Sequence, residues 1–262
     1  MPRMAQFTPG VIDYGGRMSA SYRAGRALSA EAASTWCAIA APFVRAAPCA
    51  RVLDLGSGTG RFATLFARSF DTQVIGIEPS KGMLAAAAPE ERPGNLCYVA
   101  GAAENIPLMD SSCGVAWLSH VWHHVRNRHG CARELRRVLA RAGTVLVRGT
   151  FGDKLDGFPT LFRYWPEARG ICQQLPAIQE TVLVFDANGF VLTEHRRIEQ
   201  KTCGSLREFA ERTRLRADSA LALISDSEFR RGQSALEQAA AQERAPLPVM
   251  EVIELLVFQS AA

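Results

Sequence analysis

Lysine is almost missing from this chain: Lys81, Lys154 and Lys201 are the only three, and arginine supplies the rest of the 30 basic side chains. With the richness in alanine, that bias points to a GC-rich bacterial genome and not to chemistry. Set against 26 acidic residues, the basic ones leave a net charge of +4, too balanced for a nucleic-acid footprint. The seven cysteines (Cys37, Cys49, Cys97, Cys113, Cys131, Cys172 and Cys203) form no C-x-x-C pair, and an odd count argues against full disulfide pairing. A reducing cytoplasm fits best. No apolar run is long enough to span a bilayer, and Met1 to Gly10 lacks the apolar core of a signal peptide. A soluble, intracellular protein without a membrane partner is therefore expected. Internal repeats, low-complexity tracts and flexible linkers are missing too. The 262 residues suffice for one well-buried α/β domain with elaborations, or at most two small ones.

What is present is organised around Arg51-Val52-Leu53-Asp54-Leu55-Gly56-Ser57-Gly58-Thr59-Gly60-Arg61-Phe62-Ala63. It begins as an apolar run bounded by Asp54, breaks into a glycine-alternating turn, and resumes with apolar spacing at Phe62, Leu65 and Phe66. It reads strand, loop, helix. Glycines let the backbone approach a ligand closely, and the N–H groups and positive dipole end of the helix attract carboxylate or phosphate. Residue type then narrows the ligand. A dinucleotide turn needs glycine or alanine where Arg61 stands, and a P-loop needs Gly-Lys-Ser/Thr where Gly60-Arg61-Phe62 stands. Asp54 at the end of the strand would repel a phosphate but suits an ammonium or sulfonium. A second apolar strand, Val74-Ile75-Gly76-Ile77, ends in Glu78, whose carboxylate can accept both hydroxyls of a ribose. The two carboxylates together describe a nucleoside with a zwitterionic amino-acid tail.

From residue 51 to 149 the pattern alternates, with strands expected at 51–55, 73–78, 96–100, 115–119 and 144–148 and helices at 61–69, 80–87 and 128–140. Such alternation gives a parallel, doubly wound sheet with ligands at the carboxyl ends of its strands, where Asp54, Glu78, Ala102-Ala103-Glu104 and Ser119-His120 converge. Before it, Ser29 with Glu31 opens an amphipathic helix through Trp36, Ile39 and Phe43. After it come an aromatic segment from Phe151 to Pro166, a helix at 180–188, a strand at 191–200, helices at 206–216 and 219–241, and a last strand at 251–258. Trp117, midway along a strand, is expected in the core. Trp122, Phe151, Phe158, Tyr164 and Trp165 are candidates for lining a flat apolar pocket.

Val52 to Gly60, followed by Ile75-Gly76-Ile77-Glu78-Pro79-Ser80 and Met83-Leu84, resembles the class I S-adenosylmethionine-dependent methyltransferases, specifically the small-molecule "type 11" group. The likeness runs on through Glu104-Asn105-Ile106-Pro107-Leu108 and Ser119-His120-Val121-Trp122-His123-His124 to Gly143, and covers about the middle 100 residues well. It implies a mainly parallel seven-stranded, Rossmann-like sheet with an antiparallel last strand and helical additions. It also implies an N-terminal helical cap over the cofactor at 1–48, a methyltransferase domain at 49–262, and insertions at 149–180 and 203–248 covering the substrate.

For the site, the resemblance implies that Gly56, Ser57, Gly58 and Gly60 cradle the methionine end of S-adenosylmethionine, with S-adenosylhomocysteine as product. Asp54 balances the ammonium, and Glu78 holds the ribose beside Pro79 and Met83. Tyr22 or Arg26 from the leader reaches the methionine carboxylate, and Ser119 and His120 face the cofactor. Ala102 departs from the family's Asp at the adenine amino group, leaving the Ala103 N–H and the Glu104 carboxylate to meet the base. Among the histidines, His120 or His124 is the candidate base or substrate anchor, against a structural, cofactor-shaping role; metal ligation is the weak reading, and no metal is expected. The expected activity is methyl transfer to O, N or C of a small organic acceptor, aromatic and heterocyclic ones included. A macromolecular acceptor and a non-catalytic cofactor-binding or partner subunit stay open as alternatives, and a homodimer is compatible with this size.

Overall fold

The computed structural model describes residues 17–87 and 92–261, so Tyr14 and the rest of the expected cap before residue 17 lie outside it. Helices α1 (Arg17–Gly25) and α2 (Ala30–Arg45) precede the first strand. The Ser29 hydroxyl accepts the Ala32 N–H at 3.1 Å and starts α2, which buries Trp36, Ile39 and Ala40. Then β1 (Arg51–Leu55), α3 (Arg61–Ser69), β2 (Gln73–Glu78), α4 (Lys81–Ala87), β3 (Leu96–Ala100) and β4 (Cys113–Ser119) alternate. A short 3-10 turn, Trp122–His124, leads into α5 (Arg128–Val138) and β5 (Leu139–Gly149). The aromatic segment folds as α6 (Pro159–Tyr164) and α7 (Pro166–Cys172), followed by α8 (Ile178–Asp186) and β6 (Phe190–Cys203). Helices α9 (Leu206–Thr213), α10 (Ser219–Leu223) and α11 (Asp226–Ala241) come before β7 (Val249–Ser260).

The strands form one seven-stranded sheet in the order β3-β2-β1-β4-β5-β7-β6. Strands β1 to β5 pair in parallel, and β7 runs antiparallel to both β5 and β6, as expected for this fold class. Side chains alternate across the sheet. In β1, Val52 joins a cluster with Trp36, Phe62, Phe66 and Trp117 on one face, while Leu53 and Leu55 join Trp122, Leu135 and Phe185 on the other. Asp54 therefore points to the Val52 face, toward α3.

Three of the departures from the expected boundaries have a local cause. The helix expected at 219–241 is two helices: it breaks at Ile224–Ser225, where the Ser225 hydroxyl and the Glu228 carboxylate form a capping box that restarts α11. The helix expected to Ala140 stops at Val138, because Leu139 already pairs with Cys113 of β4 and makes β5 longer than its apolar run. The helix expected to Arg216 stops at Thr213, and Arg216 itself takes φ 48°.

Candidate functional site

The loop after β1 turns on three glycines in the left-handed region, Gly56 (φ 70°), Gly58 (φ 56°) and Gly60 (φ 77°). The Gly56 and Ser57 N–H groups donate to the Ile77 carbonyl at 2.7 and 3.0 Å, which ties the loop to the end of β2. The three glycines have different duties. A Cβ at Gly56 would overlap Val121 and one at Gly60 would overlap the Tyr98 hydroxyl, so those two permit close packing. A Cβ at Gly58 would meet nothing nearer than the Tyr22 ring at 3.9 Å, so its bareness keeps space open for a ligand.

Glu78 closes the same loop from β2. Its Oε2 accepts the Gly58 N–H at 3.0 Å and its Oε1 accepts the Ser80 N–H at 2.9 Å. Burial raises the pKa of this carboxyl, and the two N–H donors oppose that rise. Each oxygen keeps a further acceptor direction, as a diol requires. Asp54 lies deeper, 2 % exposed, with Oδ2 lacking any partner among the described residues. Burial lifts its pKa from 3.8 to about 7, opposed by the Ala63 N–H and the Arg61 charge and reinforced by Glu78. The buried Ser57 hydroxyl is likewise without a partner among the described residues. An orphaned acid and hydroxyl under a glycine turn fit a ligand that brings its own ammonium and carboxylate.

Gly56, Gly58, Glu78, Pro79 and Met83 line a cavity of about 520 Å³, walled opposite by Tyr22, Ser119, His120, Val121 and His124. Eight of the expected cofactor residues thus meet around one space. Arg26, Asp54, Ser57, Gly60, Ala102, Ala103 and Glu104 are not among its walls, and Gly60 lines a neighbouring groove instead. Glu104 Oε1 accepts the N–H groups of Arg126 and Asn127 at 3.1 and 3.2 Å, so this carboxylate ties down the start of α5. Arg26 donates to Asp218 Oδ2 at 3.0 Å.

A second cavity of about 630 Å³ adjoins the first and shares with it Tyr22 and His120. Its floor is apolar, from Phe158, Leu161, Ile171 and Leu175, and its rim carries Arg26, His123, Thr150 and Asp218. Of the five expected aromatic walls only Phe158 lines this cavity: Trp122 is in the core and donates its indole N–H to Thr181 Oγ1 at 3.0 Å, and Tyr164 packs against the cluster around Trp36. Trp165 is fully buried, donates its indole N–H to the Phe229 carbonyl at 3.1 Å and stacks on Phe229, so it locks α11 and lines no pocket. Phe151 packs in the core cluster on the opposite face. Trp117 is core, as expected.

The three histidines divide between the cavities. His120 takes φ 53°, its N–H donates to the Arg148 carbonyl at 2.8 Å, and its side chain stands in the shared wall. His123 faces the second cavity and His124 the first. Burial holds all three pKa values down, that of His124 to about 4, so the rings are neutral near pH 7. Among the described residues no group of three or more His, Cys, Asp or Glu could hold a metal ion.

Arg148 was not anticipated. It is 2 % exposed, donates to Ser119 Oγ at 3.1 Å and to Gln200 Oε1 at 2.7 Å, and lies over the Trp36 ring. Burial and the neighbouring arginines, Arg61 first, push its pKa well below the usual range, and the Arg148 charge in turn disfavours protonation of His120. The signal was a single charge inside the apolar run Thr144-Val145-Leu146-Val147-Arg148, which alternation alone does not explain.

Residues 53–147 match the family model of a methyltransferase domain. Among curated proteins, the chain is 32% identical over 100 residues to the ubiquinone/menaquinone biosynthesis C-methyltransferase UbiE of Syntrophotalea carbinolica, covering 37% of this chain and 42% of the relative. It is 35% identical over 109 residues to the malonyl-acyl-carrier-protein O-methyltransferase of Methylococcus capsulatus, covering 40% of this chain and 39% of the relative. The match thus spans about two fifths of the length of these relatives. Among solved structures, the cyclase SpnF superposes with a TM-score of 0.60 at 19% identity over 91% of this chain and 85% of that one. A phosphoethanolamine N-methyltransferase of Haemonchus contortus, in complex with S-adenosyl-L-methionine, does so with a TM-score of 0.60 at 18% identity, over 97% of this chain and 61% of that one. These likenesses carry the fold.

Proposed function

We propose that this chain, whose residues 53–147 match the family model of a methyltransferase domain, moves the methyl group of S-adenosylmethionine to O, N or C of a small organic acceptor. The observation that carries this reading is the pair of adjoining cavities joined at Tyr22 and His120. One is lined by the glycine turn and Glu78 and the other by apolar side chains. When bound, the cofactor supplies a methyl group on a sulfonium, already activated for in-line displacement.

The task of the chain is alignment and exclusion of water, and alignment alone can lower a barrier by ~7–11 kcal/mol. Glu78 accepts the ribose hydroxyls without leaving the Gly58 N–H. Asp54, ionised once an ammonium is near, holds the amino-acid end under the glycine turn together with Ser57. Pro79 and Met83 pack the nucleoside side. The left-handed backbone of His120 carries its ring into the shared wall, where a neutral imidazole can accept a hydrogen bond from an acceptor O–H or N–H and orient its lone pair. His124 stands on the cofactor side. Helices α6, α7 and α10 cover the acceptor, and α1 closes the junction. Seven free cysteines accord with a reducing cytoplasm.

Calorimetry with S-adenosylhomocysteine tests the reading. The wild type should bind, and Glu78→Ala should weaken binding about tenfold or more, the cost of ~1.5–3 kcal/mol for a lost hydrogen bond to a charged group. Absence of binding by the wild type, or affinity unchanged in Glu78→Ala, overturns it. Single-turnover transfer to a panel of phenols, amines and heterocycles then identifies the acceptor atom.

A further inference from the structure

Beside the cofactor cavity, and sharing Tyr22 with it, a groove of about 910 Å³ runs between α1 and α3. Among the described residues its walls carry Arg23, Arg26, Arg61 and Arg68 and no acidic residue. Arg26 is neutralised by Asp218. The other three have no ion-pair partner among the described residues. Arg23 donates to the Ala86 carbonyl, Arg61 donates to the Arg26 carbonyl and lies over the Phe62 ring, and Arg68 extends exposed from α3. One of them is costly to leave in that state: Arg61 is buried enough for desolvation to bring its pKa down to about 10.

We propose that this groove holds a phosphate group on the methyl acceptor, with Arg23, Arg61 and Arg68 as its clamp. Arg61 feels the charge of Asp54, but three guanidinium groups with no acid among the described walls still match a group carrying two or more negative charges, and guanidinium forks fit phosphate oxygens bidentately. A lone carboxylate would leave most of that charge uncompensated. S-adenosylmethionine has no phosphate, so the clamp is surplus to its needs. The groove shares Tyr22 and Arg26 with the apolar cavity, so the two spaces adjoin at these side chains. An organophosphate can lay its charged end along α3 and its reacting end beside His120. The specificity this implies is for a phosphorylated acceptor over its dephosphorylated form. The inference rests on the methyltransferase reading for the word acceptor, while the groove itself can be probed without it.

The test is calorimetric titration of phenyl phosphate, inorganic phosphate and benzoate into the protein saturated with S-adenosylhomocysteine, with ionic strength held constant by sodium chloride. Phenyl phosphate should bind more tightly than inorganic phosphate, and benzoate most weakly. The Arg23→Ala/Arg68→Ala double variant should weaken phenyl phosphate about tenfold or more and leave S-adenosylhomocysteine affinity unchanged. Phenyl phosphate binding that is missing, or undiminished in the double variant, overturns the proposal. So does competition between phenyl phosphate and S-adenosylhomocysteine, which would give the clamp to the cofactor, and so does equal affinity for inorganic phosphate, which would leave an anion site without an acceptor. If the wild type fails to bind S-adenosylhomocysteine, the methyltransferase reading falls on its own, and the phosphate titration of the free protein still reports on the groove.

Discussion

At position 54 a carboxyl sits 2 % exposed with one oxygen lacking a partner among the described residues, and its pKa is about 7 where an ordinary aspartate has 3.8. A raised acid pKa means that the folded state holds its proton longer than the unfolded chain, so stability is lost as pH rises from the ordinary value through 7. Asp54→Asn removes that loss. Without ligand, the variant should be more stable than wild type at about pH 8, by up to about 4 kcal/mol, in urea unfolding. The same substitution should weaken S-adenosylhomocysteine binding, because the ammonium loses its counter-charge. In the wild type that binding must ionise Asp54, so affinity should fall by up to about tenfold per unit as pH drops below about 7 and level off above it. Calorimetry across this range checks the slope, and a pH-independent Asp54→Asn identifies its source. Arg148 offers a separate test. Replacing it by methionine removes a positive charge beside His120, so the His120 ring should titrate at higher pH than in the wild type by NMR; an unmoved titration would show that burial alone sets it.

At the scale of elements, the expected strands at 51–55, 73–78 and 96–100 and the helix at 61–69 coincide with β1, β2, β3 and α3. Apolar periodicity and the glycine punctuation sufficed because these segments bury regular faces. The helical region before β7 was harder, since the α10 to α11 break depends on a Ser225 cap that reads as ordinary helix surface. Packing there has one tight point. A Cβ at Gly232 of α11 would overlap the Trp165 indole and the Tyr164 carbonyl oxygen. Alanine gains about 1 kcal/mol of helix propensity over glycine, but overpacking against a buried ring and a backbone atom costs about 1–3 kcal/mol. Gly232→Ala should therefore lower the thermal midpoint, where an unconstrained helix would gain from the change. Differential scanning calorimetry decides the sign.

For the molecule as a whole, the three buried histidines dominate its response to acid. Their lowered pKa values mean that below about pH 6.5 the unfolded chain takes up protons that the folded one refuses, so stability falls on acidification. Asp54 and Glu78 act in the opposite sense, because their raised pKa values let the folded state take up protons first. Three groups against two leave a net uptake of protons on unfolding, so stability should drop between about pH 6 and 5. Urea unfolding at the two ends of this window measures it, and a flat profile would mean that the histidines open to water.

The glycine turn after β1 and the carboxylates at the ends of β1 and β2 were legible before any folding was known, because strand ends and tight turns are marked locally by Asp54, the three glycines and Glu78. Contacts across large sequence separations could not be read in this way. Trp36 donates to Gln200, 164 positions away, and Arg148 shares that acceptor from 52 positions away. The wall that His120 and Tyr22 share, the sealing of Trp165 under α11, and the meeting of arginines from α1 and α3 in one groove all depend on how helices pack. Side-chain neighbours across such distances are set by the shape of the whole core, and no periodicity in the chain encodes them.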